Sequence, residues 1–486
     1  MARQSAHCGH KCPLRLQSVW GADELRFMNG CWRRVAALTL LATWIGRALP
    51  ANGATSYEAE RELGRNFALQ AQAQLPLVTD IEVVEYVSRI GEKIVATLDH
   101  SPFAYRFFVI RDPKINAFAV PGGYIYLHSG MLTRATTDDE VAGVLGHEIA
   151  HVHAHHMARE QDATHLMNYA TLFGLLLSIV NPAIGAGAVA ANAAAQLKYR
   201  REFEQEADYL GAGYMRKAGF DPNGMLDFFK KMADEQRLAS ASTPPYLLSH
   251  PLTDERLTHL ESVLRTQQWA ATPRAATSAE LERVQVLLRA QTELPNDVLT
   301  IYRRRVDEQP DDAHARYLLG VAFLETGAFD SARQTLEQAR AMGCHPADRE
   351  LGRAWLRLRE PQRARELLAP AVEIDPDDAG AHAELAKALE TLGDSAAALR
   401  EYQRAVELAP TFAEAHYSYG ILAGRSGHEA DGYFHLAEAL RLRGEYGAAL
   451  NQYEKTAPLI DRNSERGQYV QAQTDMLNDF LHRSRK

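Results

Sequence analysis

Cysteine is scarce. Only four occur in 486 residues, and Cys8, Cys12 and Cys31 all fall near the start. Cys344 alone remains in the body of the chain, which excludes a disulfide-stapled scaffold and any intramolecular disulfide there. Basic charge is also short, with 53 Lys and Arg against 62 Asp and Glu and a formal charge of -9. Proteins that neutralise nucleic-acid phosphates carry the opposite balance, so no nucleic-acid partner is expected. Long apolar runs are few, and none gives the roughly 20 unbroken residues of an obligate membrane-spanning helix. What remains is an ordinary globular composition, 46% hydrophobic and 24% charged, in a chain long enough for two or three domains.

Residues 1–55 read as an N-terminal extension and export signal. Arg33-Arg34 precede the apolar run from Val35 to Gly46, and Ala51-Asn52-Gly53 supplies small residues where a signal is cleaved. Met28 stands at the usual distance upstream for the start of such a signal. The alternative, a single-span anchor, needs a longer apolar run.

Three further parts follow: 56–268, a linker at 269–279, and 280–486. In the first, Glu58 to Leu77 and Ile81 to Leu98 carry helical apolar spacing. Tyr105 to Ile110, Ala117 to Val120 and Tyr124 to Leu127 are rich in aromatic and β-branched residues, with Pro121-Gly122-Gly123 as a turn, and predict a small antiparallel sheet. Thr137 and Glu140 have capping-box spacing and open a helix expected to end near Arg159. Residues 166–195 are the most apolar stretch of this part; Asn181-Pro182 divides it, which suits a buried or lid hairpin or a peripheral membrane contact. Ala270 to Ser278 is rich in Ala, Thr and Pro. Beyond it, Pro376 and Pro410 are 34 residues apart, as are Ala364 and Ala398. That period is the signature of tetratricopeptide helix pairs, here Asp311 to Cys344, His345 to Asp378 and Ala379 to Phe412, with degenerate units over Ala413 to Ile460. Such pairs stack into an all-α solenoid with a concave groove.

The chemistry concentrates at His147-Glu148-Ile149-Ala150-His151. Four-residue spacing puts both imidazoles on one helix face, within reach of one ion. A carboxylate beside the first ligand is placed to take a proton from metal-bound water, the role expected of Glu148. Two His need a further ligand, and Glu204 is the expected one; Glu202 and Glu206 are the alternatives. Asp208 shares a helix face with Glu204 and would accept the free ring N–H of a ligand His. One Zn2+ per chain with an open fourth position is the corresponding cofactor. His153, His155 and His156 read as structural, with His155 on the ligand face a turn beyond the motif.

Asn116-Ala117-Phe118-Ala119-Val120-Pro121-Gly122-Gly123, the His147–His151 motif and Glu204-Gln205-Glu206-Ala207-Asp208, in this order, resemble the zinc metallopeptidases related to the CAAX-prenyl endopeptidases. With the signal and the repeats, the chain is similar to their periplasmic, repeat-containing branch, the β-barrel assembly-enhancing proteases. The resemblance implies a mostly helical α+β zincin-type domain, His147, His151 and Glu204 as ligands, and Glu148 as base. It also implies that the strand after Pro121-Gly122-Gly123 borders the cleft and receives an extended substrate. His250-Pro251, with Arg256 behind, resembles a segment that lies near the metal in the family. His250 would either stabilise the oxyanion or occupy the fourth metal position as a gate.

The expected function is a periplasmic zinc endopeptidase that degrades misfolded or stalled polypeptides. The resemblance implies outer-membrane β-barrel proteins as substrates and their assembly machinery as a partner of the repeats, with chaperone-like assistance. The alternative is a non-proteolytic repeat chaperone or scaffold with a structural or vestigial metal, against which the presence of Glu148 speaks. A membrane-embedded prenyl-peptide endopeptidase requires several spanning helices, which the sequence does not offer.

Overall fold

A computed structural model describes residues 57–159, 201–238, 245–267 and 277–485. The expected signal, the 166–195 segment and most of the linker lie outside the described residues. Two helices come first: α1 (Tyr57–Gln74) and α2 (Ile81–Val95), the latter capped by Asp80, whose carboxylate accepts the Glu82 N–H. Strands β1 (Arg106–Ile110), β2 (Ala117–Val120) and β3 (Tyr124–His128) follow. Their order is β1-β3-β2. The sheet is mixed rather than wholly antiparallel: β2 pairs antiparallel with β3 across the Pro121-Gly122-Gly123 turn, but β1 joins the other side of β3 in parallel, Arg106 opposite Tyr124. Strand patterning carries no direction, so the sequence had no means of showing this. One expectation changes as a result. With ladders on both sides, β3 cannot receive another strand; β1 and β2 are the edges, and the outer side of β1 is already bridged by Pro76 to Val78.

After a short α3 (Ser129–Arg134) comes α4 (Asp138–His153). The Thr137 hydroxyl accepts from Glu140 N–H, as capping-box spacing requires. The Glu140 carboxylate instead reaches one residue further back, to the Thr136 N–H at 2.8 Å and its hydroxyl at 2.7 Å, and to Lys231 at 2.7 Å. The helix is interrupted after His153, where Ala154 and His155 form a turn with His155 at φ 53°, and the chain is helical again from His156 to Arg159. The His155 imidazole is drawn to Glu60, at 3.1 Å, and lies between Tyr57 and Phe103. Tertiary contacts thus hold a conformation that side chains other than glycine rarely adopt.

The domain continues with α5 (Arg201–Lys217), α6 (Asn223–Leu238), α7 (Pro245–Ser249) and α8 (Asp254–Thr266). Helices α4 and α5 cross at Gly146 and Gly211. A methyl group on Gly211 would sit 2.8 Å from the Gly146 carbonyl oxygen and 3.0 Å from the His147 nitrogen. Only two glycines permit so close an approach, and it brings the acids of α5 to the histidines of α4.

From α9 (Ala279–Thr292) onward the chain is helical. α10 (Pro295–Glu308) leads into pairs α11 (Ala313–Glu325) with α12 (Phe329–Ala341), α13 (Ala347–Arg357) with α14 (Pro361–Ile374), α15 (Ala379–Thr391) with α16 (Ser395–Leu408), and α17 (Ala413–Arg425) with α18 (Glu429–Leu442). α19 (Tyr446–Thr456) and α20 (Glu465–Arg485) complete it. The solenoid packs on the first domain through one continuous core, running from Val83 and Tyr86 on α2 to Leu287 and Leu351. Glu82 lies between Arg283 and Arg349, each at 2.7 Å. Burial alone would raise the Glu82 pKa, but the two guanidiniums hold it well below the usual range. Farther along, Ile81 meets Ala379 and Ala409, and the Tyr446 hydroxyl donates to Gln72 at 2.9 Å. Helices α1 and α2 are therefore held by the repeats along much of the solenoid. Among the described residues no helix is long and apolar enough to cross a membrane.

Candidate metal centre

Helical periodicity places His147 and His151 on the α4 face that meets α5, and all the side chains around them are buried: His147 0% exposed, Glu148 1%, His151 3%, Glu204 3%, Asp208 2% and His250 2%. The Nε2 atoms of His147 and His151 are 3.0 Å apart. Glu204 reaches them from α5, at 3.6 Å from His147 and 3.4 Å from His151. His250 follows α7, with its N–H on the Tyr246 carbonyl at 2.8 Å and its ring stacked on the Tyr246 ring. Its Nδ1 lies 3.3 Å from His147 Nε2 and 2.9 Å from Glu204 Oε1. Glu148 stands beside this group, 3.8 Å from His250 Nε2.

The donor set fits a metal. One nitrogen or oxygen from each of His147, His151, Glu204 and His250 lies within 4.8 Å of the others. Bonds of about 2.0–2.1 Å make a tetrahedral edge of roughly 3.3–3.4 Å, which the observed spacings bracket. Arg256 pairs with Glu204 and Asp208, and Glu148 is a third buried carboxylate beside them, a formal excess of negative charge that a divalent cation would offset. One Glu148 oxygen, Oε1, has no hydrogen-bond partner among the described residues, which suits a base that works on a water.

Outside this group, supporting residues hold the ligands. Asp208 Oδ1 lies 2.9 Å from His147 Nδ1, so the proton of that ring is placed on the side away from the site. Arg256 grips Asp208 with two bonds, at 2.7 and 2.8 Å, and Glu204 at 2.5 Å. Burial would raise both acids, but Arg256 holds Asp208 below its ordinary range and, with His250, holds Glu204 well below. Burial depresses His151 strongly, keeping its imidazole neutral and able to ligate. For His250 burial acts the same way, but Glu204 and Glu148 outweigh it and its pKa is raised.

The structure thus brings together every expected site residue. Glu202 is exposed, Glu206 turns to His156 and Arg159, and His155 to Glu60. The contacts of two residues near the site were not legible in the sequence. Arg256 is six residues past His250, and its partners come from another helix. His156 meets His151 only because the chain bends at His155, a tertiary effect with no local signal.

Comparison with known proteins fits this geometry. Residues 83–264 match peptidase family M48, and 298–349, 349–411 and 383–425 match tetratricopeptide repeats. Residues 83–264 are thus similar to family M48 peptidase domains. The matched region holds the whole candidate metal centre, and the repeats follow it. A Vibrio cholerae protein provisionally named a β-barrel assembly-enhancing protease is 35% identical over 277 residues, covering 54% of this chain and 56% of its own. The Escherichia coli β-barrel assembly-enhancing protease is 28% identical over 319 residues, or 63% of each chain. The Schizosaccharomyces pombe mitochondrial metalloendopeptidase OMA1 is 32% identical over 184 residues, 38% of this chain and 53% of its own. The chain spans about half to two thirds of the length of these relatives.

Proposed function

We propose that this protein is a periplasmic zinc endopeptidase that cuts misfolded or stalled polypeptides, outer-membrane β-barrel proteins among them, with the repeats binding partner proteins and assisting assembly. The observation that carries the reading is a tetrahedrally spaced His147–His151–Glu204 group with the Glu148 carboxylate beside it. The relatives' names, which join a protease to β-barrel assembly, support the substrate class, and the signal-like residues 33–53 support the periplasmic setting.

His147, His151 and Glu204 would hold the zinc, which when bound supplies a Lewis acid and lowers the pKa of its water toward about 7. Glu148 takes the water proton and passes it to the leaving amine. Asp208 keeps the His147 ring oriented, and Arg256 keeps Asp208 and Glu204 ionised. An extended substrate pairs with the open edge of β2. A shallow cleft lined by Ala119, Val120, Pro121, His151 and His155 connects that edge to the site.

His250 stands where a fourth donor would stand, and of its two possible roles this placement favours the gate. His250→Ala is therefore expected to retain zinc and to cleave an unstructured peptide faster than wild type. A fall in kcat with zinc retained would favour transition-state stabilisation instead. If neither protein cleaves any polypeptide while both assist assembly, the function is that of a chaperone.

A further inference from the structure

His156 sits in the core with 0% exposure, five residues beyond a metal ligand, and the mechanism above makes no use of it. Its position follows from the bend at His155. Nδ1 of His156 lies 2.9 Å from Nδ1 of His151, the two rings nearly perpendicular, and its ring stacks on Phe203, with centroids 4.7 Å apart. Its other nitrogen, Nε2, is 3.2 Å from the Glu206 carboxylate. Glu206 in turn accepts from Arg159 at 2.9 Å.

Only one proton arrangement satisfies this chain. His151 Nε2 points into the donor group and must keep its lone pair, so its proton is on Nδ1. Between two Nδ1 atoms at 2.9 Å one donates and one accepts; His156 therefore accepts there and carries its own proton on Nε2, toward Glu206. The geometry points to His156, whose Nδ1 meets His151 and whose Nε2 faces Glu206 at 3.2 Å without a formed hydrogen bond, as the positioning residue of His151, performing for that ligand what Asp208 and Arg256 do for His147. The two ligands thus differ in what backs them: a carboxylate gripped by an arginine behind His147, and an imidazole facing a half-buried carboxylate behind His151. This inference rests on the metal reading proposed above. Outer partners of this kind typically contribute 10–100-fold to metal affinity.

The test is zinc affinity by chelator competition and the visible spectrum of the cobalt-substituted protein, for wild type, His156→Phe, His156→Asn and Glu206→Ala. Phe keeps the stacking on Phe203 and removes the acceptor; Asn puts an oxygen near the position of Nδ1. The Phe variant is expected to bind zinc about 10–100-fold more weakly with an altered cobalt spectrum, and Asn to recover most of the loss. Should the Phe variant fail to fold, Glu206→Ala, at a half-buried rim position, is expected to weaken zinc binding in the same direction. Wild-type affinity and an unchanged spectrum in a folded His156→Phe or Glu206→Ala protein overturn the assignment. If wild type itself binds no zinc, the metal reading fails first.

Discussion

Replacing Glu148 by Gln lowers the rate of peptide cleavage by about 100- to 10,000-fold, the range that a positioned general base supplies, while the protein still binds zinc. The substitution preserves volume in a position only 1% exposed, so the core stays packed, and it leaves His147, His151 and Glu204 untouched. What it removes is the capacity to take a proton. The loss should fall on kcat and kcat/KM alike, since the interaction exists in the transition state and not in the bound substrate. Steady-state kinetics on an unstructured peptide, with zinc content measured on the same samples, checks this. Full activity with zinc bound would remove Glu148 from the mechanism.

Arg256→Ala costs about 3–5 kcal/mol of stability in the metal-free protein, as expected when one partner of a buried charge cluster is deleted. Arg256 is 4% exposed, and it is the cation shared by Asp208 and Glu204. Without it two buried carboxylates face each other across the foot of α5. Its side chain also lies over the Phe229 ring, 5.0 Å from the centroid, and that contact disappears as well. Zinc should recover part of the loss, because a divalent ion restores a positive neighbour to Glu204 but not to Asp208. Urea denaturation with and without zinc measures both effects. A change below about 1 kcal/mol in the metal-free protein would mean that the cluster is relieved by some other means.

The parts of the site legible in the sequence are those that obey local periodicity. His147 and His151 share a face because four residues make about one helical turn, and Glu204 and Asp208 do so for the same reason. Which face meets which is a tertiary matter. It is decided at Gly146 and Gly211, whose contact across α4 and α5 is written in no spacing rule. The sheet shows the same division: three strands and the glycine turn were readable, whereas the parallel entry of β1, and with it the central place of β3, was not. The break in α4 was not legible because Val152 to Arg159 looks helical throughout, and the contacts of His155 with Glu60, Tyr57 and Phe103 accompany it. The hold of Arg256 on Asp208 and Glu204 was not legible for the same reason, since its partners lie on another helix. The 34-residue period, by contrast, carried the solenoid nearly whole, because each repeat contacts chiefly its neighbours. What it did not convey is how far those repeats also hold α1 and α2, through Ile81, Glu82 and Gln72.

The central claim is that one zinc ion sits among His147, His151 and Glu204. Anomalous diffraction from crystals of the purified protein, recorded on both sides of the zinc edge, tests it most directly. The account predicts a single strong peak within about 2.0–2.2 Å of the His147 and His151 Nε2 atoms and a Glu204 oxygen. Zinc-loaded protein that shows no peak there, or shows its ion on other residues, would contradict it.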